Sequence, residues 1–240
     1  MSQPTLLHIT HWKAGSQWVK KILTTLCPDR IPEARPDNGE FLQEPVREGL
    51  VYPTLYVSKW QHDGVKVPAD TVRFIMIRDL RDTLVSLYFS MKGPHPLVSR
   101  ATEATKAVLN TVSVESGYVY LLYEVLCYSA YIQQSWLGSG ERIYRYSEIL
   151  QNDVEIMTDL LLRQCRMDLD PERVKEVVEA NRFESLTKGR SRGEEDLSAH
   201  ERKAMPGDWR NHFTERIKFQ FKQLYGQLLI DTGYERDLEW

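Results

Sequence analysis

The sequence predicts an α/β protein with a mostly parallel central sheet flanked by helices. Three observations lead there. Short apolar runs alternate with amphipathic stretches of helical period, the first run stops at a tight turn that opens a helix, and the run VRFIMI (72–77) is apolar at nearly every position, as in a strand covered on both faces.

The elements follow in order. Leu6 to Thr10 reads as a strand; Trp18, Val19, Ile22, Leu23 and Leu26 then follow helical spacing up to Cys27 and Pro28. Residues 28–53 carry prolines at 28, 32, 36, 45 and 53 and read as a surface excursion. TLYVS (54–58) and VRFIMI (72–77) are the next strands. From Asp79, a plausible N-cap, Leu80, Leu84, Leu87 and Met91 form one helical stripe, with Asp79, Asp82, Ser86 and Ser90 on the other side, and Gly93, Pro94 and Pro96 close that helix. Helices are expected near Glu103–Asn110 and Tyr118–Trp136, a short strand at RIYRY (142–146), and helices over Asn152–Cys165 and Pro171–Asn181. A polar tract, Thr187 to Asp208, precedes a last helix from Glu215 to about Asp231. Crossover connections of this kind put ligands at the carboxyl ends of the strands.

Bulk composition narrows the function. A chain of 240 residues, 42% hydrophobic, is expected to form a single domain over residues 1–240. A net charge of −3 excludes a global positive field for nucleic acid, so any basic site is local. Cys27, Cys127 and Cys165 form neither a disulfide framework nor a zinc spacing and read as small buried or half-buried residues of a reducing compartment. The amino terminus lacks the pattern of a signal peptide and no stretch is apolar enough for a membrane span, so a cytoplasmic location is expected.

Two junctions carry chemistry. In HITHWKAGSQW (8–18) a strand-to-helix turn aims unpaired backbone N–H groups at one point, where the helix dipole adds positive potential. Lys13 adds a charge, Gly15 permits close backbone approach, Ser16 supplies a hydroxyl and Trp18 a flat surface. An ordinary turn with a solvated lysine is the alternative. The loop holds one glycine, preceded by its lysine, and so is not the phosphate loop of nucleoside triphosphatases. At the second junction Arg78 ends a buried strand and Ser86 follows eight residues on; together they could clamp a second phosphate, unless Arg78 pairs with Asp79 or Asp82.

These residues carry a family resemblance. THWKAGSQW (10–18) resembles the 5′-phosphosulfate loop T-Y-P-K-S-G-T-T-W of cytosolic-type sulfotransferases, and RDLRDTLVS (78–86) is similar to their 3′-phosphate segment R-N-P-K-D-x-x-V-S. RKAMPGDWRNHFT (202–214) follows the family's R-K-G-x-x-G-D-W-K-N-x-F-T almost residue for residue, while YSEIL (146–150) and NRFESL (181–186) resemble its adenine-side segments. The resemblance implies a P-loop-like three-layer fold and a sulfotransferase using 3′-phosphoadenosine-5′-phosphosulfate (PAPS). Lys13, Ala14, Gly15, Ser16 and Gln17 would hold the 5′-phosphosulfate, Trp18 and Phe183 would sandwich the adenine, and Tyr146 would face its edge. Arg78, Ser86, Arg202 and Lys203, with the backbone at Ala204, would hold the 3′-phosphate. Ala14 replaces a serine and Ala204 a glycine. Arg190 and Arg192 could also reach that phosphate, or form a solvated loop.

Sulfuryl transfer needs alignment and charge neutralisation more than covalent help, and no carboxylate pair or His/Cys cluster suggests a metal. Lys13 would stabilise or protonate the bridging oxygen. The resemblance places the acceptor's base in a K-T-H segment; here Lys59 matches the lysine, Gln61 stands at the histidine and His62 follows it. His62 is the expected base, His11 the rival and Asp63 a third choice. His212 reads as a packing residue. The acceptor is expected to be a small or lipid-like hydroxyl compound, and aromatic residues between 114 and 136 either line its pocket or pack in a core. The family's dimer segment is altered to RNHFTERIKF, which leaves the oligomeric state open. A nucleotide kinase and a catalytically degenerate PAPS-binding module are the alternatives.

Overall fold

The computed structural model describes residues 3–33, 42, 45–93, 99–199 and 201–240. Pro36, Pro94 and Pro96, read above as chain breakers, lie outside these residues. In chain order the elements are β1 (Leu6–Ile9), α1 (Ser16–Leu26), β2 (Val51–Leu55), α2 (Lys59–Asp63), β3 (Val72–Ile77) and α3 (Leu80–Lys92). They continue with α4 (Arg100–Thr111), α5 (Val114–Glu124), α6 (Leu126–Trp136), β4 (Ile143–Arg145), α7 (Tyr146–Ile149), α8 (Asp153–Thr158), α9 (Pro171–Ala180), α10 (Phe183–Leu186) and α11 (Glu215–Asp231). Contacts divide the chain into two units, the first running to Arg78 and resuming at Tyr131–Leu186, the second comprising Asp79–Ala130 and Thr187–Trp240.

The first unit is built on a four-stranded, wholly parallel sheet of order β2-β1-β3-β4. Its β1 lies inside the sheet and is fully buried, which explains the unbroken run LLHI. Val19, Ile22 and Leu23 of α1, Met157 of α8 and Val174, Val177 and Val178 of α9 share one core with Leu6, Phe74, Met76 and Tyr144 of the strands. Burial of this apolar surface, at about 25 cal/mol per Å², is the main force holding the unit.

Several boundaries correct the expectations. The second strand is Val51–Leu55 rather than 54–58. As the edge strand β2 tolerates Pro53, whose missing N–H takes no ladder bond from the sheet, so the proline is no breaker there. Tyr56 to Ser58 leave the sheet because Ser58 caps α2 in a reciprocal capping box with Gln61. The expected helix Tyr118–Trp136 is two helices broken at Val125, and the stretch after Asn152 is α-helical to Thr158 and then a π-helical turn over Asp159–Gln164. Cys27 and Cys165 are buried, whereas Cys127 lies exposed on α6.

In the second unit Asp79 caps α3 by accepting the Arg81 N–H at 2.8 Å. It also holds the buried Arg81 guanidinium, which bonds Glu235 and lies over the rings of Trp209 and Trp240. Asp82 accepts the Gly207 and Trp209 N–H groups at 2.7 and 3.1 Å, tying the 3₁₀ turn Asp208–Asn211 to α3. The two aspartates on the polar side of α3 are therefore used for internal bonds.

Candidate active site

The loop between β1 and α1 is set by two left-handed residues, Lys13 at φ 64° and Gly15 at φ 86°. A lysine pays about 1 kcal/mol or more for that conformation, a strain that concentrates at functional positions. Gly15 is also the N-cap of α1, so no side chain caps the first turn. A Cβ at this position would stand 2.5 Å from the Tyr146 ring, so only glycine fits the space beneath that ring. Ser16 is buried, its Oγ 2.8 Å from the Tyr56 hydroxyl, and Gln17 lies exposed. Ala14 is buried and Trp18 half-buried, its ring edge-on to Tyr146 at 6.3 Å.

Arg78, at the carboxyl end of β3, is fixed from three sides. Its guanidinium donates to the Lys13 carbonyl at 3.0 Å and lies 5.5 Å from the Tyr146 ring centre. Its backbone N–H donates to His11 Nε2 at 3.1 Å, and Gln133 donates to its carbonyl at 2.7 Å. The pairing with Asp79 or Asp82 weighed from the sequence gives way to these bonds. Burial, reinforced by Arg78, presses the Lys13 ammonium down to a pKa of about 8.

His11 is fully buried with both ring nitrogens engaged. Because Nε2 accepts from Arg78 N–H and from Gln133, the proton sits on Nδ1 and is donated to the Trp12 carbonyl at 2.9 Å. Burial is the larger effect and holds its pKa down to about 4 against that carbonyl bond, with Arg78 adding to it.

His62 is differently placed. It lies on α2, so the one-residue offset from Gln61 turns the side chain by about 100° around a helix rather than to the opposite face of a strand. It is buried, edge-on to Trp136 at 5.3 Å, with Nδ1 3.1 Å from Asp63 Oδ1. The other nitrogen, Nε2, is buried without a partner. Burial lowers the His62 pKa, opposed by the Asp63 bond. Lys59 Nζ holds Asp63 at 2.6 Å, and the Lys59 N–H donates to Ser135 Oγ.

Phe183 is buried at the start of α10. In the second unit Arg202 and Lys203 both bond the buried Asp208, at 2.5 and 2.7 Å, and Arg202 lies over Phe89 and also bonds Glu195. Burial pushes the Asp208 carboxyl up, but Lys203, Arg202 and Asn211 outweigh it and hold the group far below the usual range. Ala204 takes φ 47°, the left-handed conformation that glycine adopts freely. Arg190 donates to the carbonyls of Glu201, Arg202 and Glu194, so it braces the backbone of this segment. His212 bonds Asp208 and packs edge-on to Phe89, consistent with a packing role, and Ser86 is half-buried on α3.

The first unit thus gathers Lys13, Gly15, Ser16, Arg78 and Tyr146 around one loop. Sequence reasoning missed Tyr56, Gln133 and Asp208; the first two act across 40 and 122 residues and carry no local signal. Among the described residues no group of three His, Cys, Asp or Glu side chains is placed to hold a metal, and no helix is long and apolar enough to cross a membrane.

Comparison with known proteins agrees with this layout. A family model described as the sulfotransferase domain matches residues 69–233; the Lys13 loop lies ahead of that stretch. Sulfotransferase 6B1 of Danio rerio is 23% identical over 239 residues, covering 95% of this chain and 79% of the relative. Mouse sulfotransferase SULT7A1, solved with PAP, is 14% identical with a TM-score of 0.58, over 100% of this chain and 88% of that one. Retinol dehydratase, solved with androsterone and the inactive cofactor PAP, is 12% identical with a TM-score of 0.59, over 95% and 81% of the two chains. Both structures share the fold, a parallel sheet flanked by helices, and the match over well more than half of its length shows that this chain belongs to the sulfotransferase family.

Proposed function

We propose that this sulfotransferase moves the sulfuryl group of PAPS to a hydroxyl or amine of a small molecule by direct in-line displacement, releasing PAP. The observation that carries the reading is the β1–α1 loop. Its strained Lys13, uncapped first turn and cradle beneath Tyr146 fit a phosphosulfate, which supplies both the negative charge and the acceptors that such a turn lacks. Bound there, PAPS supplies the sulfuryl group; its bond from sulfur to the phosphate oxygen breaks as sulfur joins the acceptor.

Lys13, Ser16, Gln17 and the backbone at Ala14 and Gly15 hold the 5′-phosphosulfate in this proposal. Trp18, Tyr146 and Phe183 serve the adenine, and Arg78, Ser86, Arg202, Lys203 and the Ala204 N–H the 3′-phosphate. Lys13, with a pKa near 8, is charged at neutral pH and able to give its proton to the leaving oxygen. His62 takes the acceptor's proton on Nε2, while Asp63 holds the Nδ1 proton and supports the imidazolium, and Lys59 fixes Asp63. His11 cannot serve while both nitrogens are bonded. The acceptor is a small hydroxylated organic molecule, by analogy with the androsterone bound to retinol dehydratase. No metal is required, because the sulfuryl group carries less charge than a phosphoryl group.

Calorimetry tests the donor: PAP should bind far more tightly than ADP, and equal affinity would contradict the reading. Transfer of labelled sulfate from PAPS to a hydroxyl panel should proceed in the presence of a chelator and fall at least a hundredfold in His62→Ala. Tight PAP binding with no turnover on any acceptor would identify a degenerate binding module instead.

A further inference from the structure

The reaction described above uses the carboxyl ends of the strands. At their opposite, amino ends the first unit holds a cavity of about 330 Å³, none of whose lining residues is assigned a step in that reaction. Thr71, Val72 and Arg73 form one wall where β3 begins, and Glu141 and Arg142 another where β4 begins. Phe74, Tyr144 and Leu160 complete the lining, and Gln164 and Arg166 reach it from the π-helical turn and the residues after it.

Three arginines face one carboxylate here, so the cavity carries an excess of two positive charges. Arg73 gives one guanidinium nitrogen to Glu141 at 2.7 Å, but its Nε is buried without a partner, as is Thr71 Oγ1. Both atoms are closed to solvent and so belong to the wall, while Arg142 and Arg166, whose side chains are exposed, offer their donors to the cavity. Arg142 lies over the Tyr144 ring at 4.7 Å, which fixes its plane without using its N–H groups. Arg166 is held at φ 53°, a second strained residue at the rim. Guanidinium groups that outnumber the one carboxylate facing them match a tetrahedral oxyanion, which several N–H donors can hold at once.

We propose that this cavity is a second binding site, distinct from the nucleotide loop, for a small tetrahedral oxyanion: inorganic phosphate or sulfate, or the charged head of a phosphate or sulfate ester. Arg142 and Arg166 hold the anion, and Arg73 adds its charge from the wall.

The test is a titration of the full chain, saturated with PAP so that the first site is filled, with inorganic phosphate and separately with phenyl phosphate, followed by amide chemical shifts at constant ionic strength. Saturable shifts should appear at residues 71–74, 141–144 and 164–166. Arg142→Gln and Arg166→Gln alter exposed side chains and should leave the fold intact while weakening the affinity at least fivefold each. Tighter binding of phenyl phosphate would identify an ester as the ligand; equal or weaker binding would identify the free anion. Shifts that fail to saturate, that chloride reproduces, or that both variants leave unchanged would overturn the proposal. Because the readout is binding and not turnover, it stands or falls apart from sulfuryl transfer.

Discussion

At the scale of single residues, the loop lysine and the α2 histidine have pKa values moved in the same direction by burial, yet the consequences for a rate are opposite. Lys13 acts protonated, so kcat/KM, which reports the free enzyme, should fall as pH rises through about 8, where its ammonium is lost. His62 acts neutral, and burial lowers its pKa below the ordinary 6.5, so the acid limb should lie below pH 6.5. A profile of kcat/KM against pH should therefore show a plateau near neutrality with these two limbs; an acid limb that persists in His62→Gln would remove that residue from the assignment. Lys13→Ala should lower kcat by about two to three orders of magnitude, the usual loss when one charge is taken from a closed site. Asp208→Asn probes a residue that touches no substrate in the proposed scheme. Losing a buried carboxylate that neutralises Arg202 and Lys203 should cost about 3–5 kcal/mol of stability, read as a lower urea midpoint.

At the scale of elements, the β1–α1 junction shows how local sequence and tertiary packing combine. Gly15→Ala would force an alanine into φ 86° and bring its Cβ to 2.5 Å from Tyr146, so we expect about 2–4 kcal/mol of destabilisation and loss of PAP binding by calorimetry. Ala204→Gly is the mirror experiment: at φ 47° the glycine relieves strain, and the urea midpoint should hold or rise. Much of this layout was legible beforehand. The buried run of β3, the Asp79 cap and the whole of α11 follow from periodicity and capping, which are local. The position of β2 was not, because a proline reads as a breaker until the strand is known to be at an edge. The break at Val125 was also hidden, since apolar residues continue through it. In the site, Lys13 and Arg78 announced themselves by charge at strand ends. Gln133, Tyr56 and Asp208 act through partners that only the fold brings close, and the three backbone carbonyls that Arg190 binds carry no signal in the sequence.

At the scale of the whole molecule, the same buried histidines that shape the site should govern how the protein responds to acid. His8, in the middle of β1, stacks on its ladder partner Phe74 at 4.6 Å and gives its Nδ1 proton to the Pro53 carbonyl; burial, opposed by that bond, holds its pKa down to about 4. His11 is held at about 4 as well. Unfolding restores both to the ordinary 6.5, so between pH 6.5 and 4 the unfolded chain binds up to two more protons than the folded one, and stability is lost as pH falls through that window. A shift of this size is worth about 3 kcal/mol per histidine. Set against the roughly 5–15 kcal/mol that holds an ordinary domain, two such losses remove a large share of the stability while Asp208, held far below the usual carboxylate range, is still ionised. Urea midpoints measured at pH 7, 5.5 and 4.5 should fall steeply, and His8→Asn, whose amide can still donate to the Pro53 carbonyl but cannot titrate, should flatten that fall by about half. An unchanged slope in this variant would mean that acid attacks the protein elsewhere, and the carboxylates of the second unit would be the next groups to replace.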